Sequence, residues 1–139
     1  MTKAFAIKWF KFACVLTVAV GFIAAAASYP QPKTLWLLLF DLLKWPLDGD
    51  PAGFAPTGYA LNAVLGGVMV GWGLTLYFLA DGPLADNPRD ISKVILVGLI
   101  AWFMVDSAGS FAANLPGNVV LNVMFLALFL PPLFALMRK

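Results

Sequence analysis

The chain has 139 residues, 62% of them hydrophobic and 12% charged, with nine basic and seven acidic residues for a net charge of +2. A soluble domain carries about 25% charged residues, so an ordinary soluble globular protein is excluded. There is no histidine, one cysteine, and every acidic residue is an aspartate, which removes histidine-ligated haem and zinc, histidine general bases and an intrachain disulfide. No cofactor or metal is expected. The basic residues are too scattered for the clustered face that nucleic acid requires.

Lys3, Lys8 and Lys11 accompany the start of the first apolar run, residues 9–28, which closes on four alanines and Ser28. A basic start, an apolar stretch and small residues also mark a cleaved signal peptide. A signal core, however, has about 7–15 apolar residues, whereas this run reaches the roughly 20 needed to cross hydrocarbon, so a retained first span is expected.

The next segment, 29–58, contains an apolar stretch at 34–45 that is too short to cross. At 100° per residue Thr34, Asp41 and Lys44 fall in one narrow arc and leucines cover much of the rest. This pattern predicts an interfacial or re-entrant helix on the outer side, with Trp36 and Trp45 as anchors at headgroup level. Pro46 is expected to stop it, and residues 48–51, Asp-Gly-Asp-Pro, to form a solvated turn, since calcium would need further loop ligands.

Three more apolar runs of spanning length follow, at 59–80, 94–115 and 119–137. The expected fold is an all-α membrane protein: one integral domain over 1–139, a bundle of four transmembrane helices with a short helix in the first outer loop. Placing both termini in the cytoplasm puts Lys3, Lys8, Lys11, Arg89, Lys93, Arg138 and Lys139 inside and leaves Lys33 and Lys44 outside. This is the orientation the positive-inside rule selects.

Small residues recur every fourth position in the first span (Ala13, Thr17, Gly21, Ala25) and in the second (Ala63, Gly67, Gly71, Thr75). Such ladders let backbones approach closely in lipid, so Gly21, Gly67 and Gly71 are expected to pack these helices together inside one chain, with a GxxxG homodimer as the alternative. Pro131 and Pro132 should break or kink the last helix. Cys14 is expected to be a small buried hydrophobe, and Trp72, Trp102, Phe103 and Phe111 to pack rather than line a ligand cavity.

A carboxylate inside a span costs about 2.5–3.5 kcal/mol at the helix centre, which singles out Asp106. Ser107 is adjacent, Ser110 lies one turn on, and Asn118 and Asn122 occupy one face at the start of the last span. Asn62 sits at a similar depth in the second span. Alternating topology gathers Asp106, Ser107, Ser110, Asn118, Asn122 and Asn62 in the outward half, and the inner half offers little that is polar beyond Thr75. An outward-facing polar pocket is one reading. The others are interhelical hydrogen bonding alone, and a proton or cation path.

The strings Trp102 to Ser110 and Pro116 to Asn122, with Trp45 to Gly49 before them, resemble a group of small four-span bacterial inner-membrane proteins that carries no established activity. The resemblance implies a bacterial inner membrane and four helices, and adds nothing on mechanism. The sequence therefore points to a non-enzymatic membrane protein, an accessory subunit or a binding module for a lipid-like or small ligand. The alternative is a homo-oligomeric proton or cation channel or transporter using Asp106. Its expected partners are membrane lipids together with a membrane-protein partner or further copies of itself. An enzyme is disfavoured, because nothing beside Asp106 could activate Ser107 or Ser110.

Overall fold

The computed structural model describes residues 1–29, 33–44 and 56–138. Six helices follow in order: α1 (Lys3–Ala26), α2 (Lys33–Lys44), α3 (Pro56–Leu79), α4 (Pro83–Asp86), α5 (Pro88–Ala112) and α6 (Pro116–Met137). Four of them, α1, α3, α5 and α6, are long and apolar enough to cross a membrane. No strand occurs among the described residues. The expected Trp45 anchor, the stop at Pro46 and the turn at 48–51 lie outside the described residues.

The helices begin earlier than the apolar runs do, because their starts are set by caps. Thr2 closes the start of α1 by accepting from the Phe5 amide at 3.3 Å, and Asn87 accepts from the Asp90 amide at 3.4 Å at the start of α5. Proline opens α4, α5 and α6, where its missing N–H falls on a position with no intrahelical acceptor.

α1 lies along α3, α5 lies along α6, and α1 packs across α6. The helices alternate in direction, so Lys3, Lys8, Lys11, Arg89, Lys93 and Arg138 share one end of the bundle. There Lys11 pairs with Asp81 and lies 4.2 Å from the Tyr77 ring centroid. The core is largely aromatic at mid-height. Phe129 meets Phe10, Phe125 and Trp72 at 5.6, 5.4 and 6.4 Å between centroids, and Trp72 reaches across to Trp102 on α5 at 6.1 Å. The outer surface is apolar too: Phe22, Val68, Phe78, Val97 and Val105 are all exposed.

The α1–α3 contact uses glycines other than those of the four-residue ladder. A Cβ at Gly66 would fall inside the van der Waals shells of the Ala25 amide and the Gly21 carbonyl, and one at Gly73 would meet Val18 Cγ2 at 2.8 Å. Gly21 lies in the same contact: a Cβ there would come within 2.9 Å of Met69 Cβ and of Val70 N. The expectation for Gly67 and Gly71 is corrected: both are exposed, and a Cβ on either would meet nothing within 4 Å. Gly66 and Gly73 are two helical turns apart and share a face, from which Gly67 is rotated by about 100°.

Two further expectations change. The break expected in α6 does not occur: the helix continues through Pro131 and Pro132. Pro132 cannot donate to the Leu128 carbonyl, and the Trp9 indole of α1 does so instead at 3.0 Å. α2 is also turned differently. Trp36 is buried, 5% exposed, beside Ala24 and Ala27 of α1, rather than standing at the surface as an anchor. Asp41 is buried as well, whereas Leu35, Leu38 and Leu42 face outward. Two seats fix this orientation: Trp36 donates to Asn62 Oδ1 of α3 at 3.1 Å, and the Leu43 backbone rests on Gly117 of α6, where a Cβ would come within 2.6 Å of its carbonyl oxygen.

Candidate functional site

α5 and α6 are joined by a turn that determines which side chains meet. Asn114 adopts a left-handed conformation with φ 57°, which asparagine tolerates better than most residues. The Leu115 amide donates to the Ser110 carbonyl at 2.9 Å and the Asn114 amide to the Phe111 carbonyl at 3.1 Å. This is the Schellman pattern, which satisfies the last carbonyls of a helix as the chain reverses. Pro116 then starts α6 at once.

Across this hairpin, residues equally distant from Asn114 face each other. Asn118 lies opposite Ser110 and Asn122 opposite Asp106, pairs separated by 8 and 16 residues. Three donors converge on one carboxylate oxygen: Asp106 Oδ1 accepts from the Ser110 hydroxyl at 3.0 Å, from Asn118 Nδ2 at 2.8 Å and from Asn122 Nδ2 at 2.8 Å. Each amide spends its second N–H on a neighbouring hydroxyl, Asn118 on Ser110 Oγ at 2.7 Å and Asn122 on Ser107 Oγ at 3.2 Å.

The direction of these bonds carries chemical information. Both amides turn their NH2 groups toward the carboxyl, so Asp106 Oδ1 is the acceptor in each bond. Ser110 and Asn122 are buried, whereas Asp106, Ser107 and Asn118 are half-buried. Asp106 Oδ2 accepts from none of the described residues, so a hydrogen-bonding capacity remains on a partly accessible face. The depth is modest, because Asp106 precedes the end of α5 at Ala112 by less than two turns, or about 9 Å.

Five of the six residues expected here, Asp106, Ser107, Ser110, Asn118 and Asn122, therefore form one network. Asn62 is not part of it: it stands on α3, 5% exposed, with its oxygen occupied by Trp36 and its Nδ2 without a partner among the described residues. Asn114, which follows Ser110 by one turn in the sequence, belongs to the arrangement through its backbone conformation, a role its place among the polar residues did not announce. An asparagine followed closely by proline between two apolar runs was the available signal.

Toward the opposite end, the α5–α6 seam continues through Trp102 and Phe125, 5.6 Å apart, to Phe129, with Leu99 buried below. Trp72 and Trp102 thus pack as expected, while Phe111 is exposed and Phe103 half-buried. Cys14 is buried in the core. Among the described residues no group of histidine, cysteine or carboxylate side chains is placed to hold a metal ion.

A separate apolar groove of about 440 Å³ lies between α2 and α6, with Leu39, Leu43, Val120 and Met124 in its walls. None of the Asp106 network lines it. No protein-family model, curated protein or solved structure matches the chain.

Proposed function

We propose that the chain is a non-enzymatic multi-pass protein of the bacterial inner membrane, with both termini cytoplasmic. It acts as an accessory subunit or binding module through the outward half of its α5–α6 hairpin. The observation that carries this reading is the one-sided carboxylate: three donors are gathered on Asp106 Oδ1 while Oδ2 stays open on a partly accessible face. A group offering hydrogen-bond donors or positive charge, whether on a small ligand or on a neighbouring membrane helix, matches what is left.

Four helices of spanning length with apolar outer surfaces support the membrane assignment, and the clustering of basic residues at one end supports its orientation. The aromatic seam beneath Asp106 favours a site open at one end over a proton or cation path, which needs polar steps through the full depth. A carboxylate held this way in the outer part of a span is a functional position by default, because its insertion is unfavourable unless it is partnered.

Native mass spectrometry of the protein, extracted gently from its own membrane, tests the reading. We expect a defined additional mass, a small ligand or a foreign subunit, that is lost in Asp106→Asn, a substitution that keeps shape but removes the charge. The same species in wild type and variant, or a closed homo-oligomer without either addition, would overturn it.

A further inference from the structure

The groove between α2 and α6 owes its shape to one residue. Because Gly117 has no side chain, the Leu43 backbone and α6 touch at the outer end of the bundle, and the two helices part from that point. The resulting wedge is walled by Leu39, Leu42 and Leu43 on one side and Val120, Leu121 and Met124 on the other. Its rim residues Leu42, Val120 and Met124 are themselves 49%, 62% and 65% exposed, so the wedge is continuous with the apolar outer surface of the bundle. Lys44, the residue after Leu43, is exposed at the end of α2.

We propose that this wedge holds one acyl chain of an anionic phospholipid, with the headgroup phosphate beside Lys44. The inference rests on the membrane reading given above and is independent of the Asp106 site. An acyl chain needs no hydrogen-bonding partner, and these walls present hydrocarbon. The volume falls within the roughly 300–1,000 Å³ of small-molecule sites. A helix, about 10–12 Å across with its side chains, is too wide for a wedge that closes to backbone contact at Gly117. Lys44 supplies the charge complementarity: among the described side chains it is the cation at that end of the bundle, and basic groups at the membrane surface attract anionic lipid.

The test uses the full chain reconstituted into vesicles of phosphatidylcholine with or without phosphatidylglycerol, extracted in mild detergent and weighed by native mass spectrometry. Wild type is expected to retain a single phosphatidylglycerol. Val120→Trp, which fills the wedge from an exposed position, should lower retention at least about tenfold, the ratio that about 1.4 kcal/mol represents. Lys44→Gln should keep a lipid but lose the preference for phosphatidylglycerol over phosphatidylcholine. Equal retention by Val120→Trp, equal retention of the two lipids by wild type, or a protein dimer in place of the lipid adduct would each overturn the proposal. Alkaline extraction of each variant separates the two readings: a chain released from the vesicles contradicts membrane insertion itself, whereas a chain that stays embedded without lipid contradicts only the wedge.

Discussion

Trp9 and Pro132 form a pair whose members explain each other. A proline inside a helix leaves the carbonyl four residues earlier without its N–H, and in an apolar setting that carbonyl needs another donor. Leu128 finds it in the Trp9 indole, 119 residues away in sequence. Trp9→Phe, which keeps the aromatic bulk and removes the donor, should destabilise the protein by about 1–3 kcal/mol, the usual cost of orphaning a buried polar group. In a Pro132→Ala background, where the helix can satisfy Leu128 itself, the same change should cost markedly less. Thermal unfolding in detergent across the four proteins of this double-mutant cycle measures the coupling, and strictly additive effects would contradict the pairing. The two prolines were plain in the sequence, and so was the interruption they ought to cause. What rescues α6 was not visible, because nothing local to residue 132 names a tryptophan on another helix.

Between elements, the distinction that matters is between adjacent glycines. Gly66 lies in backbone contact with α1, and Gly67 faces away from it. Gly66→Ala should therefore destabilise by about 1–3 kcal/mol, as overpacking of a close contact does. Gly67→Ala should be neutral or stabilising by up to about 1 kcal/mol through helix propensity. Thermal unfolding of the two single variants checks this, and equal effects would contradict the assigned face. A four-residue rhythm of small residues directed attention to Gly67 and Gly71, while the helices meet on the seven-residue interval of Gly66 and Gly73. With glycine at both 66 and 67 the sequence contains both faces, and only the rotation of α3 chooses between them. α2 poses a similar problem. Its amphipathic pattern was legible, but Trp36 turned inward because a buried acceptor at Asn62 lay within reach, and the Leu43 backbone found a side-chain-free seat at Gly117.

For the whole molecule, length and hydropathy were enough. Four runs of spanning length became four long apolar helices, since the requirement that every backbone group be paired leaves an apolar segment few choices other than helix. Their alternation also brought Asp106, Ser110, Asn118 and Asn122 to the same height, which sequence depth alone could indicate. The order of neighbours, α3 beside α1, α1 beside α6 and α6 beside α5, depends on side-chain fit and could not be read from periodicity. The expected orientation has a direct test. In a chain with Cys14 replaced by alanine, a cysteine introduced at Gly49 should react with an impermeant thiol reagent added outside intact cells, and one at Asn87 should not. The reverse pattern would place the basic end outside.

The hairpin around Asn114 also bears on how the chain is assembled. All three donors to Asp106 Oδ1 lie after it in sequence, on α5 and α6, the farthest 16 residues later. During synthesis α5 emerges first with its carboxylate unsupported by α6. Only once the next helix is made can Asn118 and Asn122 close over it. The Asp106 carboxylate thus has all three donors only when both helices are in place, which makes the α5–α6 hairpin, and not α5 alone, the smallest unit in which its polar groups are satisfied.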